Sequence, residues 1–548
     1  MAETAQTTGS QVDGHGGDVA LAAVLGFGVA EMFTLSGGHV FPLYDAAVRA
    51  GVRIVDVRHE PTAVFAAEGL AKLTRRLGLA VVTAGPGVTN AVSGITSAYF
   101  TGSPVLLLGG RAPTVNWGRG GLQELDHVPI LAPVTKYAAT AAAPESIAAE
   151  VRAAALAALT PHRGPAFVDV PMDVLFSPAT AELPPTHRPR GPEPDPDVVL
   201  AAARLLAAAQ RPAIIAGTDV YWDGAVEALR RAAETLRVPV FANGLGRGCL
   251  PADHELAFAR TRGLLKREAD VVLVAGTPLD FRLGFGDFGA ATVLHAVDHP
   301  SRRARHAPVA AAPAGDLAAI LTGLAEATGL ARADHERWLS RLRDAEATAR
   351  AAEQAQLDAD TDPIRPARVY GELRRRLDRD AVVIGDGGDF VSYAGKYIDS
   401  YQPGCWLDPG PYGCLGTGLG YAIAARIARP ASQVVLLLGD GAAGMSLMDI
   451  DTLVRHQLPV VIVVGNNGGW GLEKHPMRAI YGYDVAADLR AETRYDEVAA
   501  ALGGAGETVA AAADLGPALD RAFAAGVPYL LNVLTDPADA YPRSSVLA

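Results

Sequence analysis

Nowhere does this 548-residue chain run to the ~20 consecutive apolar residues that a membrane-spanning helix needs, so no membrane partner is expected. Positive charge is also short. Lys and Arg number 48 against 60 Asp and Glu, a formal charge of -12, which argues against a general nucleic-acid binder because polyanion affinity comes mainly from clustered Lys and Arg. A local basic pocket for a phosphorylated ligand stays compatible with that balance. Cysteine is scarce: Cys249, Cys405 and Cys414 are odd in number and lack metal-ligand spacing, which suits free thiols in a reducing cytosol. Residues 1–17 carry Glu3 and Asp13 and have no apolar core, so they read as a frayed tail and not as a signal peptide. A cytoplasmic protein is the expectation.

What is present is an ordinary globular composition, 49% hydrophobic and 20% charged, in a chain long enough for about three domains. Short apolar runs alternate with Ala-rich helical stretches, the pattern of α/β domains built on parallel sheets. A flexible N-terminal tail (1–17) precedes a first domain at 18–183, with strands expected at 31–35, 53–57, 79–83, 104–108 and 166–170. A Pro-rich linker follows at 184–196, since Pro removes backbone donors and biases its neighbours away from helix. A central domain at 197–345, a connecting helix and linker at 346–362, and a third domain at 363–540 complete the body, leaving 541–548 as a tail or a lid. The fold class expected is α/β, with three doubly wound parallel-sheet domains. The first and third are alike in size and strand count, although no residue-level repeat joins them.

The sharpest motif lies in the third domain. One apolar strand ends in Gly439-Asp440-Gly441-Ala442, and the next ends in Gly465-Asn466-Asn467-Gly468-Gly469. In a parallel sheet the carboxyl ends of adjacent strands form the ligand crevice, so an Asp and an Asn from these loops can converge on one cation. Mg²⁺ prefers hard oxygen ligands completed by phosphate and water, which a carboxylate, an amide and a backbone carbonyl satisfy. A helix starting near Ser446 is expected to point its positive end at the anion. A lone Gly-Asp-Gly is only a strand-to-helix turn, and Gly385-Asp386-Gly387 is a decoy without the asparagine pair.

Together these loops closely resemble the thiamine-diphosphate motif of the acetohydroxyacid synthase, oxalyl-CoA decarboxylase and 2-hydroxyacyl-CoA lyase group, and the likeness spans about residues 18–535. The resemblance implies that the three domains are pyrimidine-binding, central and diphosphate-binding. It also implies that Asp440, Asn467 and the Gly469 carbonyl bind Mg²⁺, with Gly388, Asp389, Gly441, Ala442, Gly471 and Leu472 lining the cofactor. Val57-Arg58-His59-Glu60 is similar to the group's RHE motif, whose glutamate drives the cofactor's own aminopyrimidine to deprotonate the thiazolium, and that role falls to Glu60. A glutamate at a helix start is otherwise a solvated N-terminal residue. Thr83-Ala84-Gly85-Pro86-Gly87-Val88-Thr89-Asn90 matches the TxGPGxTN form and places Gly85 and Asn90 at the cofactor. In Gly410-Pro411-Tyr412-Gly413-Cys414-Leu415-Gly416, the Gly413 carbonyl would accept from the cofactor's amino group and Leu415 would wedge its rings apart; a core leucine is the bland alternative. Because Glu60 and Asp440 sit in different domains, the resemblance implies a site shared between two subunits, in a homodimer or homotetramer.

Substrate choice rests on fewer residues. Acetohydroxyacid synthases carry an apolar residue where Glu473 falls and a tryptophan at Pro476, so this chain departs from them there. A carboxylate over the reacting carbon could shuttle a proton, whereas an ion pair with Lys474 or His475 is the structural alternative. Ser36-Gly37-Gly38-His39 and Gly121-Leu122-Gln123-Glu124 resemble the acetolactate-synthase-like 2-hydroxyacyl-CoA lyases, in which His39 and Gln123 would face the substrate. In relatives the central domain receives FAD, or the ADP part of CoA, so Arg282, Asp298, Arg302 and Arg303 are candidates for a nucleotide or CoA; solvated surface arginines are the alternative. The favoured expectation is a 2-hydroxyacyl-CoA lyase acting on an acyl-CoA and running in reverse as a carboligase. Acetolactate synthase acting on 2-keto acids is the alternative, and a non-catalytic paralogue is a third reading, opposed by intact Glu60, Asp440 and Asn467.

Overall fold

The structure is a computed structural model and describes residues 10–327 and 333–541. Its chain forms two compact units, one of residues 1–189, 409–430 and 445–459, the other of residues 190–408, 431–444 and 460–548.

The first unit contains β1 (Ser10–His15), β2 (Glu31–Thr34), β3 (Arg53–Asp56), β4 (Gly78–Val82), β5 (Val105–Arg111), β6 (Ala138–Thr140), β7 (Ala166–Pro171) and β8 (Pro178–Leu183). Six of them make a parallel sheet in the order β3-β2-β4-β5-β7-β6. Strands β4 and β7 are buried along their whole length, as expected where helices cover both faces of a parallel sheet. The chain steps from β2 outward to β3 and then returns past β2 to β4, so the crevice of this sheet opens beyond the carboxyl ends of β2 and β4.

The N-terminus departs from the tail expected through residue 17. Ser10–His15 pairs antiparallel with Pro178–Leu183, and a helix begins at Gly16, capped by His15. The polar sequence SQVDGH hid this strand because its stability comes from a partner far along the chain. Also in this unit, the helix Glu60–Thr74 packs along the helix Thr417–Ala428. Glycines allow the close approach: a Cβ on Gly420 would lie 2.6 Å from the Phe65 Cβ, and one on Gly69 would lie 3.0 Å from Tyr421. Buried between the helices, Lys72 pairs with Glu68 at 2.9 Å and donates to the Tyr421 hydroxyl at 2.8 Å.

In the second unit, β9 (Pro212–Ala216), β10 (Val240–Ala242), β11 (Ala257–Phe258), β12 (Val271–Ala275) and β13 (Thr292–Ala296) form the central sheet, ordered β11-β10-β9-β12-β13. The helix Glu336–Leu357 leads out of it, and residues 184–195 are free of regular structure beyond Leu183, as their prolines require. A second sheet holds β14 (Val382–Asp386), β15 (Trp406–Leu407), β16 (Val434–Gly439), β17 (Val461–Asn466), β18 (Ala505–Val509) and β19 (Tyr529–Leu534) in the order β15-β14-β16-β17-β19-β18. All its pairings are parallel, and its switch point lies between β14 and β16. The three parallel sheets with alternating helices are the α/β architecture expected. One local expectation fails: a helix begins at Asp440 itself and runs to Ser446, not near Ser446. Its glycines hid it, and the Asp440 carboxylate, accepting from the Gly441 N–H at 2.9 Å, stabilises the first turn. Among the described residues no helix is long and apolar enough to cross a membrane.

Candidate active site

In the second unit the Asp440 and Asn467 loops assemble as adjacent strands require. Strands β16 and β17 pair in parallel, Gly439 opposite Gly465, so Asp440 and Asn467 leave the same sheet edge side by side. A single amide ties them: the Gly469 N–H donates to Asp440 Oδ2 at 3.1 Å and to Asn467 Oδ1 at 3.2 Å. Asn466, the last residue of β17, is buried and structural, donating to Asn532 Oδ1 at 3.1 Å and accepting from the Gly468 N–H. Tyr495 donates to the Asp440 carbonyl at 3.3 Å. Asp440 is 3% exposed, and burial pushes its carboxyl up to about 6 despite hydrogen bonds from backbone N–H groups. A buried carboxylate beside an amide oxygen fits a small hard cation, which would supply the charge that burial leaves uncompensated.

The walls of this site are made of glycines for steric reasons. A Cβ on Gly441 would lie 2.7 Å from the Trp470 ring, and one on Gly471 would lie 2.9 Å from the Asp389 Cβ. Gly388 caps the helix Asp389–Tyr397 at φ 98°, a conformation that favours glycine. Asp389 accepts from the Tyr541 N–H at 2.9 Å, which anchors the chain where the expected tail or lid begins; residues 542–548 of that segment lie outside the described residues. Ala442 is buried and Leu472 half-buried. Glu473 stands exposed in the first turn of the helix Gly471–Tyr481, while Lys474 pairs with Asp488.

In the first unit the loops after β2 and β4 meet at the switch point. Glu60, 6% exposed at the start of its helix, accepts from Asn90 Nδ2 at 3.0 Å. The His39 ring lies 3.2 Å from the Thr83 hydroxyl, which donates to Gln123 Oε1 at 3.3 Å, so His39 and Gln123 are joined through Thr83. Burial lowers the His39 pKa, with the Leu122 backbone opposing it, and the imidazole is neutral at physiological pH. Gln123 has φ 60° and lies against Gly85, where a Cβ would stand 2.9 Å from its own.

Two third-domain segments belong to this unit as well. Tyr412 stacks on Phe100 with ring centroids 5.2 Å apart; Gly413, at φ 68°, faces open space, and Leu415 is half-buried. Asp449 accepts from the Arg58 N–H at 2.8 Å and from the Thr62 hydroxyl at 2.6 Å, so it clamps both sides of Glu60. Burial raises its pKa.

Sequence reasoning missed Asp449, Tyr495 and His127, the last of which accepts from the Gly85 N–H, because each holds the site through a long-range contact with no local signature; it also missed Asp169, which lies behind His127. Of the central-domain candidates, Arg282 and Arg303 have partners of their own. Arg282 pairs with Asp280 at 2.7 Å, Asp298 is fully buried, Arg302 is exposed, and exposed Arg303 donates to the Ala312 carbonyl at 3.0 Å.

Comparison with known proteins gives the family. Residues 15–130, 199–324 and 386–533 match the family models described as the N-terminal TPP binding domain, the central domain and the C-terminal TPP binding domain of the thiamine pyrophosphate enzymes. The chain is 53% identical over 539 residues to a probable acetolactate synthase of Mycobacterium bovis, covering 97% of this chain and 98% of that protein. It is 35% identical to 2-hydroxyacyl-CoA lyase 2 of Caenorhabditis elegans and 34% identical to the human protein of that name, in each case over 90% of this chain and 84% of the relative.

Proposed function

Since the chain belongs to the thiamine pyrophosphate enzyme family, we propose that it is an acetolactate synthase, joining two 2-keto acids such as pyruvate with loss of CO₂. The observation that carries this reading is the 53% identity, over nearly the full length of both chains, to the mycobacterial protein of that name. It reverses the order of preference that Glu473 and the His39 loop suggested. When bound, thiamine diphosphate supplies a carbon nucleophile for a carbonyl and a sink for the electron pair released on cleavage. Asp440, Asn467 and the Gly469 carbonyl would hold Mg²⁺ on the diphosphate. Glu60, oriented by Asn90, would hold the proton at the pyrimidine nitrogen, with the Gly413 carbonyl accepting from the amino group and Leu415 as the apolar wedge. His39, kept neutral by burial, would join Gln123 in offering uncharged hydrogen bonds to a substrate carbonyl. A homodimer in which Glu60 and Asp440 of one site come from different subunits, pairing further into a tetramer, is part of this proposal, as is a cytoplasmic location.

A second reading, 2-hydroxyacyl-CoA lyase, is favoured by Glu473, a carboxylate exposed in the first turn after the asparagine loop. Its CoA requirement gets less support, because Arg282 is committed to Asp280. Purified protein loaded with thiamine diphosphate and Mg²⁺ should form acetolactate from pyruvate. Formyl-CoA and an aldehyde from a 2-hydroxyacyl-CoA, with no acetolactate from pyruvate, would overturn the proposal in favour of the lyase.

A further inference from the structure

Beneath the Glu60 region lies a buried histidine that the reaction as proposed does not use. His127 is fully buried, its Nδ1 is 2.8 Å from Asp169 Oδ2, and its Nε2 is 3.0 Å from the Gly85 nitrogen. A backbone N–H can only donate, so Nε2 is the bare nitrogen and Nδ1 carries the proton toward Asp169. Asp169, also fully buried, is fixed in turn: Thr140 donates to its Oδ1 at 2.6 Å and Arg111 to its Oδ2 at 3.0 Å. Arg111 is itself held by Asp126 at 3.1 Å and by the face of Trp117, 4.0 Å from the ring centroid. The imidazole stands edge-on to Phe167.

The far end of this chain of contacts bears on the activating carboxylate. Gly85 precedes the helix Pro86–Phe100 with φ 55° and ψ -110°, a backbone shape that leaves its buried N–H without a helical acceptor. His127 supplies that acceptor. The second turn of the same helix carries Asn90, which orients Glu60, and Gly85 also abuts Gln123. We propose that His127, buttressed by Asp169, is a positioning residue for cofactor activation: by accepting the Gly85 N–H it sets the helix start that places Asn90 against Glu60. The inference rests on the role proposed for Glu60.

Isosteric replacements separate positioning from mere packing. In His127→Gln the side-chain amide reaches the Nε2 position and can accept from Gly85. In His127→Asn it reaches only the Nδ1 position, keeps Asp169 and loses Gly85. The measurement is the hydrogen–deuterium exchange rate at C2 of bound thiamine diphosphate, followed by quench and NMR, with Glu60→Gln as control and the cofactor dissociation constant of each variant measured by fluorescence quenching. We expect exchange to fall about tenfold or more in His127→Asn, to recover to within about threefold of the natural protein in His127→Gln, and cofactor affinity to change less than exchange in both. Equal exchange in the two variants would overturn the proposal, as would a loss explained wholly by cofactor affinity. If Glu60→Gln itself leaves exchange unchanged, the Glu60 assignment fails instead. A second readout needs no cofactor: ¹⁵N-histidine NMR of the cofactor-free protein should show a neutral imidazole protonated at Nδ1, and an Nε2-protonated ring would also overturn it.

Discussion

Replacing Asp440 by Asn should stabilise the cofactor-free protein, and by an amount that depends on pH in a way no packing change reproduces. Burial raises the Asp440 carboxyl from 3.8 to about 6. The folded state therefore binds this proton more tightly than the unfolded state, and the ionised form carries a penalty that is absent below the unfolded value, grows between the two and is complete above about 6. At 1.36 kcal/mol per unit the full penalty is about 3 kcal/mol. Asparagine escapes it but loses an acceptor, because Asp440 takes N–H bonds on both oxygens, from Gly441 and from Gly469. That loss costs about 1–2 kcal/mol and does not vary with pH. The stability of Asp440→Asn minus that of the natural protein should therefore climb by about 2 kcal/mol between pH 4.5 and 7.5, whatever its starting offset. Urea midpoints measured in parallel without metal or cofactor give that difference. A constant offset across the range would refute the reasoning. Mg²⁺ with thiamine diphosphate should reverse the order at neutral pH, since a ligand that binds only the native state stabilises only the protein that can hold it.

Asn90→Ala removes the hydrogen bond to the Glu60 carboxylate, and turnover should fall about 10- to 100-fold with KM nearly constant, the scale of a charge-assisted bond; steady-state kinetics checks it. Gly85→Ala forces a Cβ to 2.9 Å from that of Gln123 at φ 55°; a loss of about 1–3 kcal/mol is expected, read as a lowered melting temperature together with impaired turnover. Glu473→Gln should leave acetolactate formation within about threefold, whereas a loss of 10²-fold or more, the scale of general acid–base catalysis, would make this carboxylate a proton shuttle.

The Asp440–Asn467 end of the site was legible because its residues are local: each sits in the few positions after an apolar strand, and two adjacent parallel strands must deliver their loops to one edge. Asp440 and Asn467 needed no further information to be brought together, and the shared Gly469 amide follows from that placement. Glu60 and Asn90 were each readable as motif residues, but their contact was not, since it depends on how two helices lie against one sheet. His127 and Asp169 were invisible for a stronger reason. Asp169 is one inward residue of an apolar strand, and His127 lies in a loop 42 residues earlier, with nothing periodic linking them. Asp449 is the same case: its partners Arg58 and Thr62 lie nearly 400 residues away in sequence. Groups that must meet a ligand are confined to strand ends and glycine turns, where spacing is constrained by backbone geometry. Groups that hold them can come from any buried surface, provided every buried polar atom finds its partner. For Arg282 the same condition works against the expectation of a phosphate ligand: with Asp280 two residues before it already taking its guanidinium, a phosphate would have to displace a carboxylate, so nucleotide binding at this position is the weakest part of what the sequence suggested.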